Sequence, residues 1–309
     1  MNGKVEYRQG YRKTLLGQIK GLLRRLDLKA RKRLGQHFLI DDEVLEKVAS
    51  AAELTPDEIV IEVGPGLGVL TRELAKQAGW VIAVELDDRL ASILGQTLTS
   101  VENVTVINKD ILHIDPAALI EEQRMRLPLK TDNSISYKVV ANLPYYITSP
   151  VLRHFLEASV KPRLMVVMVQ REVAEAIVAE PGRMSILSIS VQFYGKPEIV
   201  SYVPARCFYP APEVDSAILK INVYPQPVID VKDTDAFFRL VRAGFTTPRK
   251  QLVNSLAQGL GTSKTEVLPL LEKAGIMYKR RAETLSLEEW QRLWQVFRRR
   301  HNADSSGTS

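Results

Sequence analysis

Ile59-Val60-Ile61-Glu62-Val63-Gly64-Pro65-Gly66-Leu67-Gly68-Val69-Leu70-Thr71-Arg72-Glu73-Leu74-Ala75 decides the fold of this 309-residue chain. An apolar run passes through a three-glycine turn into a helical pattern, which reads as a strand, a turn and a helix. Glycine tolerates positive φ and lets the backbone approach a ligand closely, while the first turn of the helix presents unbonded N–H groups. A phosphate loop would continue with Gly-Lys-Ser/Thr, and this one continues with Val69-Leu70. The third glycine comes two residues after the second, where the dinucleotide fingerprint needs three. A glycine turn alone also serves simply to start a helix, so neighbouring strand ends must decide whether it holds a ligand.

Outward from this unit, strand and helix patterns alternate, which predicts a parallel sheet wrapped by helices. Strands are expected at Ile59–Val63, Trp80–Glu85, Val104–Ile107, Tyr137–Ala141 and Leu164–Val169, and helices near 69–78, 88–98, 149–158 and 171–179. Met184–Tyr194 fits neither period cleanly and leans to helix. Glu198–Val203 and Val214–Val223, around the proline-rich Phe208-Tyr209-Pro210-Ala211-Pro212, are expected to close a seven-stranded sheet. Before the sheet, Asp41 and Asp42 suit the cap of a helix through Val44, Leu45 and Val48. Composition changes at Tyr224-Pro225-Gln226-Pro227, beyond which only helical patterns follow, from Phe237 to Phe297. The predicted organisation is a basic N-terminal amphipathic helix or arm (1–30), an α/β domain (31–223), a small all-helical domain (228–300) and a polar, disordered tail (301–309).

Glu85 ends the second strand about twenty residues after the glycines, where an acid accepts hydrogen bonds from ribose hydroxyls. Asp110 follows the third strand, placed to accept from an adenine amino group. Each acid alone reads more readily as a solvated loop carboxylate. Together with the turn they bring glycine, glutamate and aspartate to one sheet edge. With no diphosphate-binding lysine, a nucleoside carrying a cationic centre fits, and S-adenosylmethionine is such a molecule. Gln36-His37-Phe38-Leu39 precedes the sheet and is placed to fold over it, although His37 by residue type alone also suits a surface role.

The second informative stretch is Asn142-Leu143-Pro144-Tyr145, after the apolar run Tyr137–Ala141. It sets an amide, a rigid proline and an aromatic ring at the carboxyl end of a strand, where open α/β sheets bind ligands. An amino group on a purine is a poor nucleophile because its lone pair is delocalised into the ring. Asn142 offers a side-chain carbonyl and Leu143-Pro144 a backbone carbonyl, two acceptors that localise the lone pair. Tyr145 is expected to stack on the base, with Phe208 closing its other face. The alternative is an ordinary strand-ending turn.

Net charge is +6, unevenly placed: residues 1–40 carry +9, residues 239–309 carry +7 and the remainder −10. Basic ends around an acidic middle suit a polyanion held from two sides, because neutralising phosphates releases counterions. Arg242, Arg249 and Lys250, and the run Lys279-Arg280-Arg281, are the candidate phosphate contacts, against the plainer reading of solvated helix faces. Leu15, Leu16, Ile19, Leu22, Leu23 and Leu26, interspersed with Arg12, Lys13, Lys20, Arg24 and Arg25, form a basic amphipathic pattern suited to RNA, a membrane surface or its own domain. One cysteine, Cys207, excludes an internal disulfide framework, and the spacing of the four histidines predicts no metal site. No export signal or bilayer-spanning stretch is recognised, so a cytoplasmic location is expected.

The ordered motifs resemble the ribosomal small-subunit adenine dimethyltransferase family. They run from Lys32-Arg33-Leu34-Gly35-Gln36-His37-Phe38-Leu39 through Glu62–Gly68, Asn142–Tyr145, Gln170–Ala174 and Phe208–Ala217 to Phe237–Phe245 with Arg249-Lys250, over about residues 30–260. The resemblance implies a Rossmann-like class I methyltransferase sheet and S-adenosylmethionine-dependent N6,N6-dimethylation of two adjacent adenines in a loop near the 3′ end of 16S rRNA. The implied partner is a precursor of the small ribosomal subunit, met by a monomer. Cofactor contacts are implied at His37, Leu39, Gly64, Glu85, Asp110 and Asn142, and catalysis at Asn142, Leu143, Pro144 and Tyr145. Two departures stand out: His37 occupies a position where many relatives carry asparagine, and Ala179–Ser185 is shorter than the usual family loop. The same motifs are shared with 23S rRNA adenine methyltransferases of the macrolide-resistance type, and a non-catalytic ribosome assembly factor is the alternative of another class.

Overall fold

The computed structural model describes residues 15–25, 35–124 and 136–306. In chain order the elements are α1 (Leu15–Arg25), β1 (Phe38–Leu39), α2 (Asp42–Ala51), β2 (Ile59–Val63), α3 (Val69–Ala75), β3 (Trp80–Glu85), α4 (Asp88–Thr97), β4 (Val104–Asn108), α5 (Pro116–Arg124), β5 (Tyr137–Asn142), α6 (Thr148–Leu156), β6 (Leu164–Gln170), α7 (Arg171–Ile177), α8 (Ile186–Tyr194), β7 (Gly195–Val203), β8 (Phe208–Tyr209), β9 (Ser216–Val223), α9 (Thr234–Gly244), α10 (Leu252–Leu260), α11 (Lys264–Lys273) and α12 (Leu287–Ser306).

Seven of these strands form one sheet in the order β4-β3-β2-β5-β6-β9-β7. The first five pair in parallel, and β9 runs antiparallel to both β6 and β7. Strand order reverses between β2 and β5, so a crevice opens at their carboxyl ends, the place where open α/β sheets bind ligands. Register sets what reaches that edge. Val63 lies beside Val84 and Ala141, Glu85 beside Asn108, and Asn142 beside Met168.

Each buried strand divides its side chains between two apolar layers with the period of two that a pleated strand imposes. Ile59, Ile61, Val139, Ala141, Val167 and Leu219 face the layer covered by α6, α8 and the C-terminal helices. Val60, Val81, Val140, Val166 and Ile218 face the layer covered by α1, α2 and α3. Asp41 caps α2 as expected, its Oδ1 accepting from Val44 N at 3.1 Å. Buried Lys138, on the second face of β5, donates to Glu58 Oε2 at 2.8 Å and to the Glu53 carbonyl, so its charge is paired.

Met184–Tyr194 resolves to a helix, α8, opened by a capping box between Ser185 and Ser188. Two elements lacked a sequence reading. One is α5, whose Leu119 and Ile120 are buried and whose preceding Asp115 accepts from Ala117 N. The other is the antiparallel ribbon of β1 with β8, in register Phe38 with Tyr209 and Leu39 with Phe208.

The proline-rich stretch at 224–227 is tied back onto α8: Tyr224 N donates to the Tyr194 carbonyl and Val228 N to that of Phe193. The Phe193 ring stacks on Phe237 of α9 at 5.5 Å and meets Phe238 edge-on, so the helices beyond it share one apolar layer with the sheet. α12 continues to Ser306, into the stretch from 301 expected to be a tail. It propagates from a turn anchored by buried Trp290, Leu293 and Trp294, and each further residue adds a hydrogen bond at little cost once a helix is nucleated. Residues 307–309, Arg12, Lys13, Leu26 and Arg31–Leu34, which the sequence reading also used, lie outside the described residues.

Candidate active site

The glycine turn adopts the geometry its composition requires. Gly64, Gly66 and Gly68 have φ of 67°, 60° and 75°, a region that side chains disfavour by about 1–2 kcal/mol each. Gly64 N donates to the Val84 carbonyl at 2.9 Å, which fastens the turn to β3. Beside it lies a cavity of about 360 Å³, within the ~300–1,000 Å³ range usual for small-molecule and cofactor sites. His37, Leu39, Gly64, Glu85, Asp110, Asn142, Leu143, Pro144 and Tyr145 all line it, so one chamber collects residues from five strand ends.

Glu85, 6% exposed, is held by two backbone donors: Gly66 N to Oε2 at 3.0 Å and Asp87 N to Oε1 at 2.9 Å. Burial raises its pKa, and the two N–H bonds work against that rise. Each oxygen keeps a lone pair free for a ribose hydroxyl. Asp110 is half-buried; its Oδ1 accepts from Leu112 N at 3.0 Å, and its Oδ2 lies 3.2 Å from His113 Nδ1. Glu62, 1% exposed, also lines the chamber, and its Oε2 has no hydrogen-bond partner among the described residues. Burial pushes its pKa up to about 8, with Thr71 opposing and the neighbouring Glu85 adding. A left-handed glycine cradle, an unpartnered buried carboxyl and a fixed second carboxylate fit a ribose-bearing cation such as S-adenosylmethionine.

At the end of β5, Asn142 Nδ2 donates to the His37 carbonyl at 3.0 Å. That bond commits the amide nitrogen and leaves the side-chain carbonyl oxygen as the acceptor. Leu143, 2% exposed, roots the motif in the core, with its N–H bonded to the Met168 carbonyl at 3.2 Å. The Pro144 carbonyl accepts from Ile147 N at 3.1 Å, closing a 3-10 turn over Tyr145–Ile147. The backbone acceptor most available to a substrate is therefore that of Leu143.

Tyr145 is half-buried, its hydroxyl 2.8 Å from Ser216 Oγ and its ring stacked against His37 at 5.9 Å and 22°. His37 Nδ1 lies 2.7 Å from the Pro210 carbonyl, an acceptor that places the proton on Nδ1. These bonds set the platform at a defined tilt. Burial raises the Tyr145 hydroxyl pKa, so it stays neutral and serves as a hydrogen-bonding anchor.

The structure corrects the expectation for Phe208. Its ring is 2% exposed in the apolar layer that holds Leu39, Cys207 and Ile218, and it is not a wall of the chamber. Alternation along β8 is the reason, turning Phe208 inward and Tyr209 outward. Tyr146, 56% exposed and lining the chamber, is the aromatic at the mouth that sequence reasoning missed. Ser216 and Glu62 were also missed as site residues, although both stood within motifs that had been singled out.

Arg242, Arg249 and Lys250 lie at the end of α9 and in the turn that follows, all exposed. Lys250 borders a shallow groove with Asn254, Gln258, Ser263 and Lys264. In the run Lys279-Arg280-Arg281, Arg280 turns inward to Glu289 and the Thr284 carbonyl and is spent on structure. Among the described residues no helix is long and apolar enough to cross a membrane.

The model of the ribosomal RNA adenine dimethylase family matches residues 27–294. Ribosomal RNA small subunit methyltransferase A of Dehalococcoides mccartyi is 55% identical over 284 residues, spanning 92% of this chain and 94% of that protein. Its namesake from Moorella thermoacetica is 44% identical over 280 residues, spanning 89% and 94%. Among solved structures, the fold is similar to the 23S rRNA methyltransferase ErmE (TM-score 0.65, 30% identity, 84% of this chain and 98% of that one). It is also similar to a dimethyladenosine transferase from Plasmodium falciparum (TM-score 0.70, 24% identity, 85% and 98%). The chain belongs to the ribosomal RNA adenine dimethylase family of S-adenosylmethionine-dependent methyltransferases.

Proposed function

We propose that this chain dimethylates the N6 amino groups of two adjacent adenines in a loop near the 3′ end of 16S rRNA, acting as a monomer on a precursor of the small subunit. The observation that carries the reading is the Asn142 amide, fixed by the His37 carbonyl at 3.0 Å beside the glycine cradle. Relatives at 55% and 44% identity named for the small ribosomal subunit support it over a large-subunit substrate.

S-adenosylmethionine supplies, when bound, a methyl carbon activated by a positively charged sulfur. Gly64, Gly66, Glu85, Asp110, His37 and Leu39 would hold it, leaving the protein to position and polarise the amine. Asn142 Oδ1 and the Leu143 carbonyl accept the two N–H bonds of adenine N6, which draws the lone pair onto nitrogen and aims it along the attack line. Tyr145 supports the base from one face, a contact worth roughly 1–3 kcal/mol. Near-attack positioning is worth up to ~7–11 kcal/mol, and the proton that N6 sheds is strongly acidic once the nitrogen carries the methyl group and a positive charge, so it passes to water and no strong general base is needed. Arg242, Arg249 and Lys250 contact phosphates and carry no base specificity.

The test is to incubate unmethylated small subunits and, in parallel, large subunits with the enzyme and methyl-labelled S-adenosylmethionine. Label recovered as N6,N6-dimethyladenine in 16S rRNA is expected. Label confined to 23S rRNA, or none in either, would overturn the proposal.

A further inference from the structure

α1 spends its apolar stripe on its own domain. Leu15, Ile19 and Leu23, one helical turn apart, are buried in the layer that contains Phe38, Leu39 and Phe208. The helix carries no acidic residue, and Arg24 and Arg25 stand exposed in its last turn. Cations there also favour the helix dipole, but that does not account for Lys20, one turn earlier. The Lys20 ammonium lies 5.1 Å over the ring of Tyr209.

That contact joins the helix to the active site. Tyr209, 38% exposed, is the strand partner of Phe38, which lines the chamber. The next residue, Pro210, offers its carbonyl to His37 Nδ1, and His37 stacks against Tyr145. A continuous series of contacts therefore runs from the outer face of α1 to the platform for the target base. The buried leucines and isoleucine of α1 are spent on the domain, which favours a phosphate backbone over a lipid surface as the partner of its basic side. Through Lys20 the helix is seated on the ribbon that borders the chamber, and the exposed Arg24 and Arg25 of the same helix complement a phosphate backbone.

We infer that the outer face of α1 is an RNA-contact surface of this enzyme, in which Arg24 and Arg25 bind phosphates flanking the loop whose adenines enter the chamber, while Lys20 on Tyr209 keeps the helix in register with it. The inference rests on the proposed rRNA substrate and adds a contact on the opposite side of the chain from Arg249 and Lys250 in sequence. It involves no base reading, since phosphate contacts position the RNA without specifying it.

The experiment uses the full chain carrying Arg24→Gln with Arg25→Gln, alongside Arg24→Lys with Arg25→Lys. Affinity for unmethylated small subunits is measured from 0.05 to 0.3 M KCl. Losing two phosphate contacts should lower the slope of log affinity against log salt by about 1.4–1.8, and weaken binding by roughly tenfold or more at 0.1 M salt. The lysine pair, which keeps both charges, should retain the wild-type slope. Affinity for S-adenosylhomocysteine and the Tm should match wild type in both, which separates RNA contact from misfolding. A wild-type slope and affinity in the glutamine pair overturns the inference, and so does binding of wild type to anionic phosphatidylglycerol vesicles with no change toward subunits. If the substrate reading itself fails, wild type does not methylate small subunits; if only this inference fails, wild type and the glutamine pair methylate them with the same KM.

Discussion

Replacing Glu62 by glutamine should change how the stability of this protein depends on pH. Glu62 stands on β2 in register with Ala83 and Val140, 1% exposed, with a pKa pushed up to about 8 chiefly by burial. An unfolded chain releases that proton near the ordinary value of 4.5. Between these two values the folded state holds a proton that the unfolded state has lost, so stability falls as pH rises. The slope from one such group reaches about 1.4 kcal/mol per pH unit. Below the unfolded pKa both states are protonated, and above the folded pKa both are ionised, so the slope vanishes at each end. Over the interval the loss is on the order of 5 kcal/mol, comparable to the whole stability of a marginal domain. Glu85, also raised by burial, contributes in the same direction. Glutamine keeps the shape of Glu62 and removes its titration, and groups that do not interact with Glu62 cancel in the difference, while relief of the neighbouring Glu85 acts in the same direction. Urea unfolding at pH 5.5, 6.5, 7.5 and 8.5 measures it. Wild type should lose stability relative to Glu62→Gln through the first three points, with the loss per pH unit falling to about half its full value between the last two, which straddle the folded pKa of about 8. Parallel curves throughout, or a wild type that gains on the variant as pH rises, would refute the assignment of a protonated carboxyl beside the cradle.

Gly68→Ala places a Cβ 2.7 Å from Leu94 Cδ2 at φ +75°, whereas Gly64→Ala at φ +67° meets nothing closer than 4.0 Å. Urea unfolding should therefore show a loss of roughly 2–3 kcal/mol for the first and ~1 kcal/mol for the second. Asn142→Asp turns an oxygen toward the His37 carbonyl in place of the donor now 3.0 Å away. Single-turnover methylation should slow by about 10²–10³-fold while S-adenosylhomocysteine titration changes far less. Tyr145→Phe keeps the ring and loses only the bond to Ser216 Oγ, so kcat/KM should fall by less than about tenfold; Tyr145→Ala should cost about 5–150-fold. In a strain lacking the gene, Tyr145→Ala also tells methylation from assembly, because a non-catalytic factor would still restore subunit maturation.

Much of the sheet was legible because buried parallel strands read as continuous apolar runs. Ile59–Val63 and Trp80–Glu85 have the bounds their sequence implies, each closed by glycine or acid. The next three strands start where expected and run one residue further, to Asn108, Asn142 and Gln170. Hydropathy ends a strand where its apolar run stops, while the backbone ladder does not depend on the next side chain and continues through it. The β1–β8 ribbon was illegible for a different reason. Two-residue strands carry no periodicity, and their partners lie far apart in sequence. The error over Phe208 follows from it, since without the ribbon nothing indicated which way its ring would face.

The same ribbon explains why the site residues were recognisable while their arrangement was not. Asn142 is oriented by a carbonyl 105 residues away, and the His37 ring bonds to Pro210, 173 residues on. On the proposed reading, one residue thus sets both the acceptor that would polarise the amine, through its backbone, and the ring that would support the base, through its own ring. The two functions are separable. The bond to Asn142 comes from the main chain at position 37 and does not depend on the side chain there, so the asparagine that the family resemblance implies at this position is compatible with the same hydrogen bond. What histidine adds is a ring against Tyr145 and an N–H to Pro210, which together link Tyr145 to the residue that follows β8. Chemistry that depends on aiming a weak nucleophile requires these groups to be fixed before the substrate arrives. The structure meets that requirement with backbone carbonyls and a short ribbon, at positions where hydropathy carries no signal.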